Sequence, residues 1–480
     1  MRRRILAAIV CVVLLLSLVA CGGDTAGETK GQVNFPEGTF LAGFGRANFT
    51  PATNVIMHAN QKMSTGVHTW LYADTIAVTG TNGQTALIIT VDIQNVLDAM
   101  LEEARAALSK EHDIPKEQIL ISATHTHNSP ELTVGNSVPK LVLDGIYESA
   151  RAAIQNQAPA EMYTAIIKTE NMNFDRNYLM EDGTYAGTNF GDVNAGTIKR
   201  HETEADPYLQ LIKFVRQGQT TRDGQPAKDI IISNFCAHPH RDYNTATNVS
   251  LISANVPFFF REELEKEADC HVAYYTGASG NVNMNSRIEE ENVTVDMKDQ
   301  GRRLAQYAIR AGENYTKVEG GAVYGVESFV TATVDHSRDH LAAVATQTQN
   351  IASTKGTDEA QKFALENGLL HQQEAKGILK KVQKGETMDV PVGALSIGDV
   401  AFVAATYEMY HTTGSNIKKA SPFDMTFVLY LCNGNYGYMP EEECFDHGGY
   451  GVYSCQYVRG TAEILGNKYS ELLNELSSKY

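Results

Sequence analysis

Thr85–Val91 reads TALIITV, a continuous apolar run rich in β-branched side chains, and residues 229–236 read DIIISNFC in the same manner. A strand that is apolar on both faces needs cover on both faces, so these runs restrict the chain to a sheet buried between layers. Each run is followed by helical periodicity. Val96, Met100, Ala104 and Leu108 recur along residues 95–110, and a second helix is expected over about 256–266. Further strands are expected at 118–123, 162–168, 208–215 and 271–276, with helices at 139–154 and 295–311. Strands alternating with helices predict an α/β domain with a mainly parallel or mixed sheet covered by helices.

Residues 338–383 leave that rhythm. They are rich in Gln, Ala and Lys and poor in strand signals, which predicts a helical insertion or hairpin. Strand patterns resume at 393–405 and 425–432, and Ile464, Leu465, Leu472 and Leu473 outline a closing helix over 461–476. No fixed-period repeat and no Pro/Ser-rich linker divides the chain, so one large domain over 39–480 is expected.

The first 21 residues, MRRRILAAIVCVVLLLSLVAC, place three arginines before an apolar run, the pattern of a secretory signal. The run falls short of the ~20 apolar residues a spanning helix needs. Its end, Leu18-Val19-Ala20-Cys21, resembles a bacterial lipobox, in which Cys21 is lipidated and becomes the mature N-terminus. Residues 22–38 then read as a flexible tether. The expected location is extracytoplasmic, with the bacterial membrane as partner through the lipid anchor. The formal net charge of −17, from 40 Lys+Arg against 57 Asp+Glu, repels phosphate backbones and argues against nucleic acid.

Chemistry gathers at strand ends. Thr124-His125-Thr126-His127 directly follows one strand, and His238-Pro239-His240 follows another. Alternate strand residues share a face, so His125 and His127 are expected to project together at the carboxyl edge, where open α/β sheets bind ligands. One such pair reads equally well as structural; two independent pairs favour a metal, with zinc the ion that neutral imidazoles commonly hold. Glu408 closes the apolar stretch AFVAATYE and is a candidate carboxylate ligand. Asp92 ends its strand likewise and reads as a ligand, an ion-pair partner or a helix N-cap. The glycine-rich GASGNVNMN at 277–285 offers backbone N–H donors for an oxyanion. The tyrosines of NGNYGY and GGYGVY read equally as packing residues. Outside the leader, Cys236, Cys270, Cys432, Cys444 and Cys455 leave two readings, a Cys444–Cys455 bridge or five buried thiols.

Taken in order, AGFGRANFTP at 42–51, LIITVDI, ISATHTHNSPE, NFCAHPH, YYTGASGNVNMN, the Glu408 strand, NGNYGYMP and GGYGV resemble the neutral/alkaline non-lysosomal ceramidase family over almost all of 40–480. Those enzymes are zinc amidohydrolases with an α/β catalytic domain that cleave the N-acyl bond of ceramide. The resemblance implies zinc held by His125, His238, Glu408 and Tyr438, with His127 as the partner histidine. It implies Arg176, in NFDRNYL, and Tyr450, in GGYGV, as further active-site residues. The family's active-site serine is Asn283 in this chain, whose amide can donate to an oxyanion but cannot act as a nucleophile; the bland alternative is a cap on the glycine-rich turn. Gly451 stands where the family has Glu. The chain ends soon after its last helix, which implies no immunoglobulin-like C-terminal domain. The expected function is hydrolysis of a linear amide by metal-activated water, on a small-molecule or lipid-like substrate. Two alternatives stand beside it: a zinc hydrolase of a different cell-envelope amide or ester, and a substrate-binding lipoprotein with a vestigial metal site.

Overall fold

The computed structural model describes residues 40–480 apart from 53, 60, 134–136, 188–196, 240–249, 313, 319 and 320. The leader, Cys21, the tether and His240 lie outside the described residues. Apolar alternation along the central strands sorts their side chains into two cores. Leu87, Ile89 and Val91 pack toward the helices Asp98–His112 and Val138–Gln155, whereas Ala86 and Ile88 face a second sheet. In that second sheet Phe402 and Ala404 face back across the same inner core, while Ala401 and Val403 pack toward the helix Thr461–Ser477. The result is four layers, helices on the outside and two sheets between them.

The larger sheet runs His271–Thr276, Ile230–Phe235, Tyr208–Val215, Ala158–Lys168, Phe40–Asn48, Tyr72–Thr79, Thr85–Val91, Ile119–Ala123, with Thr316–Lys317 added beside Ala158–Lys168. The smaller sheet runs Val323–Thr333, Thr387–Ile397, Val400–Ala404, Met425–Leu429. The sheets are mixed. Within these two sheets, parallel pairing joins Thr85–Val91 to Ile119–Ala123, Ile230–Phe235 to His271–Thr276, and Val400–Ala404 to Met425–Leu429. Each of these pairs is linked through a helix, as a parallel crossover requires. The N-terminal AGFGRA segment is explained by packing: a Cβ at Gly43 or Gly45 would stand 2.0 Å from the carbonyl oxygen of Ala153 or Ser149. Only glycine lets the helix Val138–Gln155 lie so close on this strand.

One expectation changes, and two open readings are decided, Asp92 as an ion-pair partner and the five cysteines as buried thiols. The stretch 393–405 is not one strand but parts of two antiparallel ones, Thr387–Ile397 and Val400–Ala404, turning at Gly398 with φ 55°. Asp92 neither caps a helix nor faces a metal. Its Oδ2 accepts from Arg261 Nη2 at 2.6 Å and from the Tyr72 N–H at 2.9 Å, while Leu97 precedes the helix. Cys444 and Cys455 do not bridge: all five cysteines are buried thiols. The insertion is a trio of helices, Ala342–Thr354, Thr357–Glu366 and Glu374–Lys381, around a small core of Ala345, Ala364, Leu369, Ala375 and Ile378. Among the described residues no helix is long and apolar enough to cross a membrane.

Candidate metal centre

The three parallel pairs place their carboxyl ends around one pit. His125 and His127 follow Ile119–Ala123, His238 follows Ile230–Phe235, Glu408 follows Val400–Ala404, and Tyr430 follows Met425–Leu429. The two histidines of THTH do converge, with ring centroids 4.8 Å apart, but not through strand alternation. The strand stops at Ala123, and His125 takes a left-handed backbone, φ 64°, with its N–H donating to Ile93 O at 3.0 Å. A turn rather than the pleat aims the side chain.

Backbone carbonyls fix the imidazoles. His125 Nδ1 lies 2.5 Å from Gln94 O, and His238 Nδ1 lies 2.7 Å from Ser279 O. A carbonyl accepts only, so each Nδ1 carries the proton and each Nε2 turns a lone pair to the pit. Burial lowers the His125 pKa, against the pull of Glu408, which keeps the ring neutral. The same loop corrects an expectation: GASGN presents carbonyls here, not an array of N–H donors, since the Gly280 N–H is spent on Met409 O.

Four side chains then meet. His125 Nε2 and His127 Nε2 are 3.2 Å apart, and Glu408 Oε2 stands 3.8 Å from His125 Nε2 and 3.7 Å from His238 Nε2. Ligating atoms of all three histidines lie within 4.8 Å of one another. Ligands at ~2.1 Å around a tetrahedral ion stand roughly 3.4 Å apart, so the spacing fits one divalent cation with N and O donors. His127, expected as a partner, is thereby placed as a further candidate ligand. Tyr438 is the register partner of Glu408 in a short parallel pairing and lines the cavity beside it. Burial pushes this phenol well up, which favours the neutral form; ligation as a phenolate needs the field of a cation.

Above the pit opens a cavity of about 340 Å³ lined by His125, His127, Arg176, Glu408, Tyr438 and Tyr450, among others. Arg176 Nη2 donates to Gly280 O at 2.6 Å, and its guanidinium lies 5.5 Å from the ring centroids of both Tyr438 and Tyr450. Asn283 is buried, pairs with Phe174 and bridges through its backbone to His238, and it is not among the residues that line the cavity. Cavities of about 380 and 680 Å³ lie elsewhere, without such a cluster of ligating side chains among the described residues.

Three contributors were missed in the sequence. Tyr430 donates from its hydroxyl to Glu408 Oε2 at 2.7 Å; its only signal was a polar-tipped ring at a strand end. His58 lines the cavity, its Nδ1 2.6 Å from Glu131 Oε2 and its Nε2 2.9 Å from Asn95 Nδ2. The third is the helix Glu374–Lys381, which brings Gln373, Lys376, Gly377 and Lys380 to the outer wall.

No family model and no characterised protein matches the sequence. Solved structures do match. Neutral ceramidase from Pseudomonas aeruginosa superposes with a TM-score of 0.68 at 16% identity, covering 92% of this chain and 75% of that one. A ceramidase complexed with C2 gives 0.67 at 17% identity, covering 92% and 76%. The chain has the neutral ceramidase fold.

Proposed function

We propose that this chain is an extracytoplasmic, lipid-anchored zinc hydrolase that cleaves a linear amide, as ceramidases do. The observation that carries the reading is the convergence of three imidazoles and Glu408 at strand ends in a ceramidase fold. His125, His238, Glu408 and Tyr438 would hold the ion, with His127 beside it. A bound zinc ion supplies Lewis acidity, lowering the pKa of water toward ~7 and polarising a carbonyl.

The chain's own groups account for the rest. Gln94 O and Ser279 O hold two imidazoles in one tautomer, so no reorientation is needed during the reaction. Hydrolysis joins the oxygen of water to the acyl carbon, breaks the C–N bond and delivers a proton to the departing nitrogen. His127, at the cavity edge of the cluster, is placed to carry that proton. Arg176 and Tyr450 line the cavity wall and orient the acyl group, whereas Asn283, buried and outside the cavity lining, takes no oxyanion role. Asn cannot form an acyl-enzyme, so water attacks directly. Lipidation at Cys21 would keep this chemistry at the membrane surface, near lipid-like amides.

The test is elemental analysis of protein purified without chelators, together with fatty-acid release from N-acyl amides. About one zinc per chain and chelator-sensitive release are expected. Absence of bound metal even after reconstitution overturns the reading.

A further inference from the structure

The helix Glu374–Lys381 carries four charged residues besides its apolar face, and they divide into two kinds. Glu374 accepts from Arg338, and Lys381 Nζ lies 3.0 Å from Asp335 Oδ2. These two fasten the helix to the body of the insertion, with Ala375 and Ile378 buried beside them. Lys376 and Lys380 make no ion pair among the described residues, and both line the cavity that opens onto His125 and Glu408. Their i,i+4 spacing sets both ammonium groups on one helix face, where like charges repel and weaken the helix slightly. Both are exposed at the cavity rim, and an anion entering the cavity would relieve their repulsion.

The rest of the lining sharpens the point. Among the described residues of the lining, Arg176 adds a third cation, while Glu408, already bonded to Tyr430, is the one carboxylate. In a chain of net charge −17 this cavity is a local reversal of sign, and a low-dielectric cleft focuses such a field on what enters it. Gly377 holds the wall in place: a Cβ there would stand 2.3 Å from Tyr453 O, so the helix lies directly on the backbone of Tyr450–Ser454.

We infer that the substrate carries an anionic group, a carboxylate, sulfonate or phosphate, which Lys376 and Lys380 receive while the amide lies over the histidine cluster. The inference rests on the hydrolase reading for its amide, and on the lysines alone for its charge.

Steady-state kinetics of the zinc-loaded protein on four amides of one chain length tests it. N-dodecanoylglycine and N-dodecanoyltaurine place the anion on the amine side, the monoamide of dodecanedioic acid places it on the acyl side, and N-dodecanoylethanolamine is neutral. Anionic amides are expected to show at least tenfold higher kcat/KM than the neutral one, with the advantage fading as salt rises. The better of the two anionic arms locates the anion. The double variant Lys376→Gln/Lys380→Gln should raise KM for the anionic amide about tenfold, leave kcat within twofold, and leave the neutral amide unchanged. Equal kcat/KM for charged and neutral amides, or unaltered selectivity in the double variant, overturns the inference. Calorimetric binding of the same amides separates the two readings: lysine-dependent binding of anionic amides without cleavage overturns the hydrolase and keeps the charge assignment.

Discussion

In the pit, His125, His238 and Glu408 each follow within a few residues of a strand's carboxyl end, and each is tied by a hydrogen bond to a carbonyl or a buried hydroxyl. On the outer wall, Lys376 and Lys380 ride on an eight-residue helix whose small core is its own. One region is built from the central sheets and has one arrangement. The other is laid over it and touches it through a glycine contact. Groups that must hold a cation need fixed distances, and sheet edges supply them. Groups that select a substrate need only face the cavity, and an insertion can provide or change them without disturbing the pit.

The sharpest break between the regions should come from the pit. His125→Ala removes a candidate ligand whose tautomer is fixed by Gln94 O, and should abolish stoichiometric metal while lowering turnover on the order of 10³ or more. Elemental analysis showing full occupancy in this variant would move the centre elsewhere. A smaller effect is expected one bond further out. Tyr430→Phe removes the hydroxyl that donates to Glu408 and should weaken metal affinity about tenfold, with little change in melting temperature. Competition with a metallochromic chelator measures it; unchanged affinity would mean that Glu408 is held in place without that hydroxyl. The smallest effect belongs to the wall. Gly377→Ala forces the helix away from Tyr453 O, and should raise KM a few-fold while metal content and kcat stay constant. Loss of metal in that variant would show that wall and pit are one unit.

The sequence exposed the pit more readily than the wall, and the reason is physical. A charged or imidazole side chain immediately after an apolar strand is conspicuous because the strand itself predicts burial, so His125, His238 and Glu408 stood out. Tyr430 did not, since a tyrosine in TFVLYLC reads as core until its hydroxyl is seen to reach Glu408. Lys376 and Lys380 were invisible for the opposite reason: lysines on a short amphipathic helix ordinarily face solvent, and only tertiary packing turns this face to a cavity. His58 depends on a loop whose course no periodicity encodes. The strand–helix alternation revealed the layers, but not that most pairings would be antiparallel, because register and direction come from crossovers and not from composition.

The two sheets divide the centre between them: the imidazoles leave the larger sheet, the carboxylate and Tyr430 the smaller. Chain order therefore becomes assembly order. During synthesis His125 and His238 emerge long before Glu408, and the inner core that presses the sheets together cannot close until Phe402 and Phe427 have been made. A nascent chain thus carries donors with no fixed geometry, and capture of a cation at full affinity waits for closure of the last layer. Loading at full affinity would then follow closure of that layer, and a cation held across the seam would clasp halves that were translated far apart.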